Sequence, residues 1–134
     1  MITLTLNNPV CIGKRALHCR RIPHNHSNTR MHWSEKALWN DAWKREVGYT
    51  WLALRPLGLK LPLKFAKIRV ILHVNKLFDH DGAYTAVKPL IDALKVKDGV
   101  GIIEDDSPKY IDLMVDQVNV KRRKDEKVII QISY

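Results

Sequence analysis

Trp39, Trp43, Val47 and Trp51 recur every four residues, and this spacing most narrows what the chain can fold into. On a helix of about 3.6 residues per turn it gathers three indoles and a valine on one side. Exposed, such a stripe would be a stacking platform for bases; at helical period it is expected to be core. A stripe that wide needs an apolar surface to lie on. The chain supplies one from Ala66 to Asn75, where Ile68, Val70, Leu72 and Val74 alternate with Lys67, Arg69 and His73, the period-two pattern of a half-buried strand.

The remaining elements follow from the same patterns. Ile2, Leu4 and Leu6 alternate with threonines as a short first strand, closed by Asn7, Asn8 and Pro9. Val10 to Ile22 has no clear period, with 16–22 expected to be extended. Ser34 is expected to cap the tryptophan helix, with Glu35 in its first turn and Arg55 and Pro56 at its end. A second helix is expected over about Thr85–Lys95, with Val87, Leu90, Ile91 and Leu94 inward and Pro89 in the first turn, where it is tolerated. Ile111–Lys121 and Lys127–Tyr134 read as two strands joined by the charged turn RRKDE, in the manner of a hairpin. At 134 residues this is one domain, 1–134: an α/β chain of the α+β kind, with a mixed sheet and two main helices packed on it.

Charge is distributed unevenly. Residues 1–78 carry 14 Lys/Arg and 3 Asp/Glu, residues 79–106 carry 3 and 7, and residues 107–134 carry 6 and 4. An acidic island in a basic chain suits a metal-dependent enzyme acting on nucleic acid, because Lys and Arg neutralise phosphates and release counterions. There is no run of about 18 uncharged apolar residues, so no membrane span is expected. No basic segment followed by an apolar one opens the chain, so no secretory leader is expected either. Cys11 and Cys19 are therefore expected to be reduced thiols in a cytoplasmic protein.

Within the island, Asp79 and Asp81 follow the strand and are expected to point the same way along an extended segment. Asp105 and Asp106, preceded by Glu104, lie in a second loop. Converging carboxylates repel and raise each other's pKa unless a cation lies between them. Oxygen-only ligands suit Mg²⁺ or Mn²⁺. Lys88 lies between the two loops, with Asp92 one turn later on the same helix face.

This arrangement, FDHDGAYTAVKPLIDAL followed by VGIIEDDSPKY, resembles the RusA-type Holliday-junction endonucleases of bacteria and their phages. Upstream, PHNHSNTRMHW and the helix after it resemble that family's Pro-Asn-Arg-His/Tyr loop. The resemblance spans roughly residues 23–118. It implies a homodimeric, Mg²⁺-dependent endodeoxyribonuclease that nicks two symmetric strands of a four-way DNA junction. Asp79, Asp81, Lys88 and Asp106 would be catalytic, with Asp79, Asp81, Asp105 and Asp106 the candidate metal ligands. Arg30, Lys36, Lys44 and Arg45 are candidate contacts to the DNA backbone. Two positions depart from the family: Gly82 stands where Asn is frequent, and the spacing from Asp81 to Lys88 is longer than in the shortest members.

Other readings fit less well. FDHDGAYT also resembles the D-x-D-G-T motif of haloacid-dehalogenase-type phosphatases, but that fold places a parallel sheet after the motif. Here a long helix precedes it and hairpin-like strands follow. Cys11, Cys19, His24 and His26 lack zinc-ligand spacing. An EF-hand loop fails because Gly82 is at its fourth position, not its sixth. The alternative from another class is a non-catalytic DNA-binding recombination accessory protein on the same fold.

Overall fold

The computed structural model describes residues 1–13, 18–25, 31–54 and 56–134. In chain order the elements are β1 (Ile2–Leu6), β2 (Val10–Cys11), β3 (Cys19–Arg20), α1 (Trp33–Leu54), β4 (Ala66–Val74), α2 (His80–Asp92), β5 (Ile111–Asn119) and β6 (Lys127–Ser133). A 3-10 turn at Arg123–Asp125 precedes β6. The four longer strands form a mixed sheet in the order β1-β6-β4-β5, and β2 and β3 form a separate two-stranded ladder.

Alternation in the strands sets which face is covered. Leu4 pairs with Ile130, Ile130 with Val70 and Val70 with Val115, so one apolar rung crosses all four strands. The even-numbered residues of β4, from Ala66 to Val74, are buried, whereas Lys67 and Arg69 on the other face are exposed. Both helices lay their buried residues into the same hydrophobic cluster. Trp39, Trp43, Val47 and Trp51 are all buried, so the stripe is core and not a stacking platform. Trp43 is 1% exposed, and truncating it to alanine would cost about 3–5 kcal/mol.

Several local expectations are corrected. α1 begins at Trp33, and Ser34 is not its cap. The His32 ring takes that role, its Nδ1 accepting the Ser34 N–H at 3.2 Å. α2 starts earlier than the apolar pattern suggests, at His80, because the Asp79 carboxylate caps it. Pro89 therefore lies near the C-terminal end of the helix, not in its first turn. Its missing N–H removes the helical donor to the Thr85 carbonyl.

The terminal strands do not form a hairpin. β5 pairs in parallel with β4, while β6 enters antiparallel between β1 and β4. Buried Val128, Ile130 and Ile132 suit β6 to an interior position, and the polar run of Asp116, Gln117 and Asn119 suits β5 to an edge. β4, α2 and β5 thus make one parallel crossover around the acidic stretch. Cys11 and Cys19, expected as thiols, are joined in a disulfide. Antiparallel pairing of β2 with β3 sets them directly opposite, with Cα atoms 4.0 Å apart, a proximity that spacing in sequence does not reveal. Among the described residues, no helix is long and apolar enough to cross a membrane.

Candidate functional site

The segment between β4 and α2 is held by side chains from β5 and the turn after it. Gln117 grips Phe78 at both ends: its Oε1 accepts the Phe78 N–H at 2.8 Å and its Nε2 donates to the Phe78 carbonyl at 3.0 Å. The Asn119 amide donates to the Asn75 carbonyl at 3.0 Å, and the Asn75 amide donates to the Lys121 carbonyl at 2.9 Å. These bonds fix the residue before Asp79.

Asp79 then starts α2, its Oδ1 accepting the Gly82 N–H at 2.7 Å. A Cβ at position 82 would lie 2.4 Å from that oxygen and 2.7 Å from Nδ2 of the buried Asn25. A larger residue at position 82 would require the Asp79 and Asn25 side chains to shift. Asp81 lies in the first turn. Because Asp79 is a cap and Asp81 is helical, they do not share the direction expected of an extended segment. Asp81 instead shares a helix face with Lys88, seven residues and about 10 Å further along the axis.

The second pair of acids arrives through a folded loop. Val100 N–H bonds the Ala93 carbonyl at 2.8 Å and Ile102 N–H bonds the Leu94 carbonyl at 2.9 Å, so the chain doubles back on the end of α2. Gly99 permits this approach, since a Cβ there would meet the Ala93 and Lys95 carbonyl oxygens at 2.5 Å. Leu94, Ile102 and Ile103 are buried and anchor the return. The loop carries Asp105 and Asp106 back beside α2.

There the charges form one network. Lys88 Nζ donates to Asp106 Oδ2 and lies 3.3 Å from Asp92 Oδ1. Lys95 Nζ lies 3.3 Å from Asp92, 3.4 Å from Asp105 and 3.6 Å from Asp106. The hydrogen bond from Lys88 is the main reason Asp106 titrates low, at about 2; partial desolvation opposes it. Desolvation also works against both lysines, but hydrogen bonding to Asp106 and Asp92 and the surrounding negative charge outweigh it, so both pKa values are raised. Lys88, Lys95 and Asp106 therefore stay charged across the neutral range.

The candidate residues thus separate into two groups. Lys88, Asp105 and Asp106 come together with Asp92 and Lys95, while Asp79 and Asp81 lie at the opposite end of α2. The oxygen-only donors fit a hard divalent cation in their chemistry. Among the described residues, however, no group of three or more His, Cys, Asp or Glu is arranged to hold a metal ion. Lys36, Lys44 and Arg45 lie along α1, and Arg30 lies outside the described residues.

A cleft of about 1050 Å³ opens beside Asp79, walled by the β2–β3 ladder, the first turns of α1 and the 3-10 turn. None of Lys36, Lys44 and Arg45 lines it. Reading the sequence missed Lys95 and the Gln117 and Asn119 clamps, because single polar residues carry no period. Neither a protein-family profile nor any curated protein matches the chain.

Proposed function

We propose that this chain is a RusA-type, metal-dependent endodeoxyribonuclease that resolves four-way DNA junctions by paired nicks, acting as a homodimer in the cytoplasm of a bacterium or of a phage-infected cell. The observation that supports this reading best is the contact between Lys88 and Asp106. These residues, 18 apart in sequence, belong to the catalytic set that the motif resemblance implies, and they meet in a charge-assisted hydrogen bond. In this reading Lys88 holds a proton where negative charge grows on the phosphate oxygens. Asp106 orients Lys88, and Asp81 shares the helix face that the scissile phosphate would meet. Mg²⁺, with Mn²⁺ as a substitute, would be held by Asp79 and Asp81 at the start of α2, while Asp105 and Asp106, toward its other end, are set against Lys88 and Lys95; when bound the ion would supply Lewis-acid activation of phosphate and water. Two copies would offer two symmetric sites to two symmetric strands. In a reducing cytoplasm the Cys11–Cys19 bridge would be open, and it would mark the oxidised form.

A second reading has its own support. Lys95 lies among three carboxylates and, with Lys88, offsets two of their three charges without a metal, as a non-catalytic DNA-binding accessory protein would allow.

Cleavage of a labelled four-way junction and of a matched linear duplex, in Mg²⁺ and in EDTA, separates the two. Paired nicks on the junction that EDTA and Asp81→Asn both abolish are expected of the nuclease. Junction binding without cleavage in either Mg²⁺ or Mn²⁺ would leave the accessory protein.

A further inference from the structure

We infer that the cleft beside Asp79 is a track for the phosphodiester backbone of a DNA strand, delivering it to the start of α2, where Asp79 and Asp81 lie. This rests on the proposed reading that the substrate is DNA, and names the surface that holds it. Arg20 and Arg21 come from the β2–β3 ladder, Lys76 from the segment after β4, and Arg123 and Lys124 from the 3-10 turn. Segments far apart in sequence thus bring five cations to one cleft, against the three carboxylates of Glu35, Asp79 and Glu126.

The state of these groups suits a polyanion. Among the described residues none of the five cations forms an ion pair, in contrast to Lys88 and Lys95 in the acidic network. Arg20 and Arg21 are instead oriented by backbone: Arg20 Nε donates to the Ile22 carbonyl at 3.1 Å and Arg21 Nη1 to the Asn7 carbonyl at 2.5 Å. Each guanidinium keeps further N–H groups for phosphate oxygens. Glu126 is occupied, its Oε2 accepting the Asn75 N–H at 3.0 Å. The Arg20 pKa is lowered, chiefly by desolvation, with Glu126 opposing and Arg123 adding like-charge repulsion. An anion between Arg20 and Arg123 would relieve that repulsion. The cleft is at the upper limit of small-molecule pockets, and its open, cation-studded wall suits a polymer better than an enclosed ligand.

The test is fluorescence anisotropy of a labelled four-way DNA junction in EDTA, which prevents cleavage, over about 50 to 200 mM NaCl. The triple variant Lys76→Ala, Arg123→Ala, Lys124→Ala is compared with wild type and with Lys60→Ala, Lys64→Ala, Lys67→Ala, which removes equal charge elsewhere. The cleft variant is expected to bind at least tenfold more weakly, with the slope of log Kd against log salt reduced by about 2–3. The control variant is expected to keep the wild-type slope. If the triple variant lowers Tm, the single exposed substitution Lys124→Glu decides, a several-fold loss supporting the track and wild-type affinity overturning it. Equal slopes for the cleft variant and wild type would overturn the track and leave the nuclease reading intact. A wild-type protein with no salt-dependent DNA binding would overturn that reading itself. Binding of labelled acidic peptide or sedimentation with anionic lipid vesicles, without DNA binding, would do the same.

Discussion

Lys88 and Asp106 meet across 18 residues of chain because the loop after α2 folds back on the helix that carries the lysine. The hydrogen bond lowers the carboxyl to about 2, so its contribution to stability is present above the unfolded value near 4. It is lost as pH falls through about 2. The Lys88 side chain is 56% exposed, so solvent screening limits the pair to about 1 kcal/mol. Urea unfolding of wild type and Asp106→Asn is expected to differ by that amount at pH 6 and to converge near pH 2. A constant gap across the range would mean that the pair is not the source.

Asp79 has two separable duties, capping α2 and, in the proposed reading, binding metal. Asp79→Ala removes the acceptor for the Gly82 N–H and is expected to cost about 1 kcal/mol. Asp79→Asn keeps an equally good cap and is expected to hold Tm within a degree or two while abolishing junction cleavage. Thermal melts and the cleavage assay on both variants measure the two duties separately. Full activity in Asp79→Asn would confine the residue to capping.

Lys95 is the cation nearest to Asp92, Asp105 and Asp106 together. Replacing it with Met leaves three carboxylates repelling one another beside Lys88 alone. Lys95→Met is expected to lose about 1–3 kcal/mol at pH 7. Millimolar Mg²⁺ is expected to raise the Tm of this variant more than that of wild type, because a divalent cation can replace the ammonium. Calorimetric scans with and without the metal measure this.

Cys11 and Cys19 close a loop with a sequence separation of 8. By the chain-entropy relation, opening it costs about 2–3 kcal/mol. Air-oxidised protein is expected to show no reactive thiol when unfolded, and dithiothreitol is expected to lower Tm. Because Cys19 adjoins Arg20 and Arg21, reduction is also expected to weaken DNA binding modestly. Thiol titration under denaturing conditions checks the bond, and anisotropy in both redox states checks its reach.

Periodic features were legible in the sequence and aperiodic ones were not. The buried stripe of Trp39, Trp43, Val47 and Trp51 and the alternation through Ile68 to Val74 gave the right elements and inward faces, because burial imposes its period on the chain. Strand partners were not legible. β5 and β6 are neighbours in sequence, yet β4 lies between them, and pairing depends on which strand best tolerates an edge. The start of α2 was misplaced because the apolar pattern begins several residues after the cap. Asp79 is itself a preferred cap residue, so that signal was available. The contact of Lys88 with Asp106 was anticipated only as shared membership of a motif. The lysine-centred arrangement around Lys95 and the amide clamps of Gln117 and Asn119 had no sequence signature, since each rests on one side chain reaching a partner set by the tertiary fold.

β4 is hydrogen-bonded to β5 along its whole length on one side and to β6 over most of it on the other. Its inner amides can therefore exchange with solvent only when the sheet itself separates, which ties their protection to the global unfolding free energy. The ladder and turn that wall the cleft have no such enclosure and exchange through small local openings. The strand that aims Asp79 is thus the last part of the molecule to loosen, while the surface offered to a ligand can adjust without disturbing that aim.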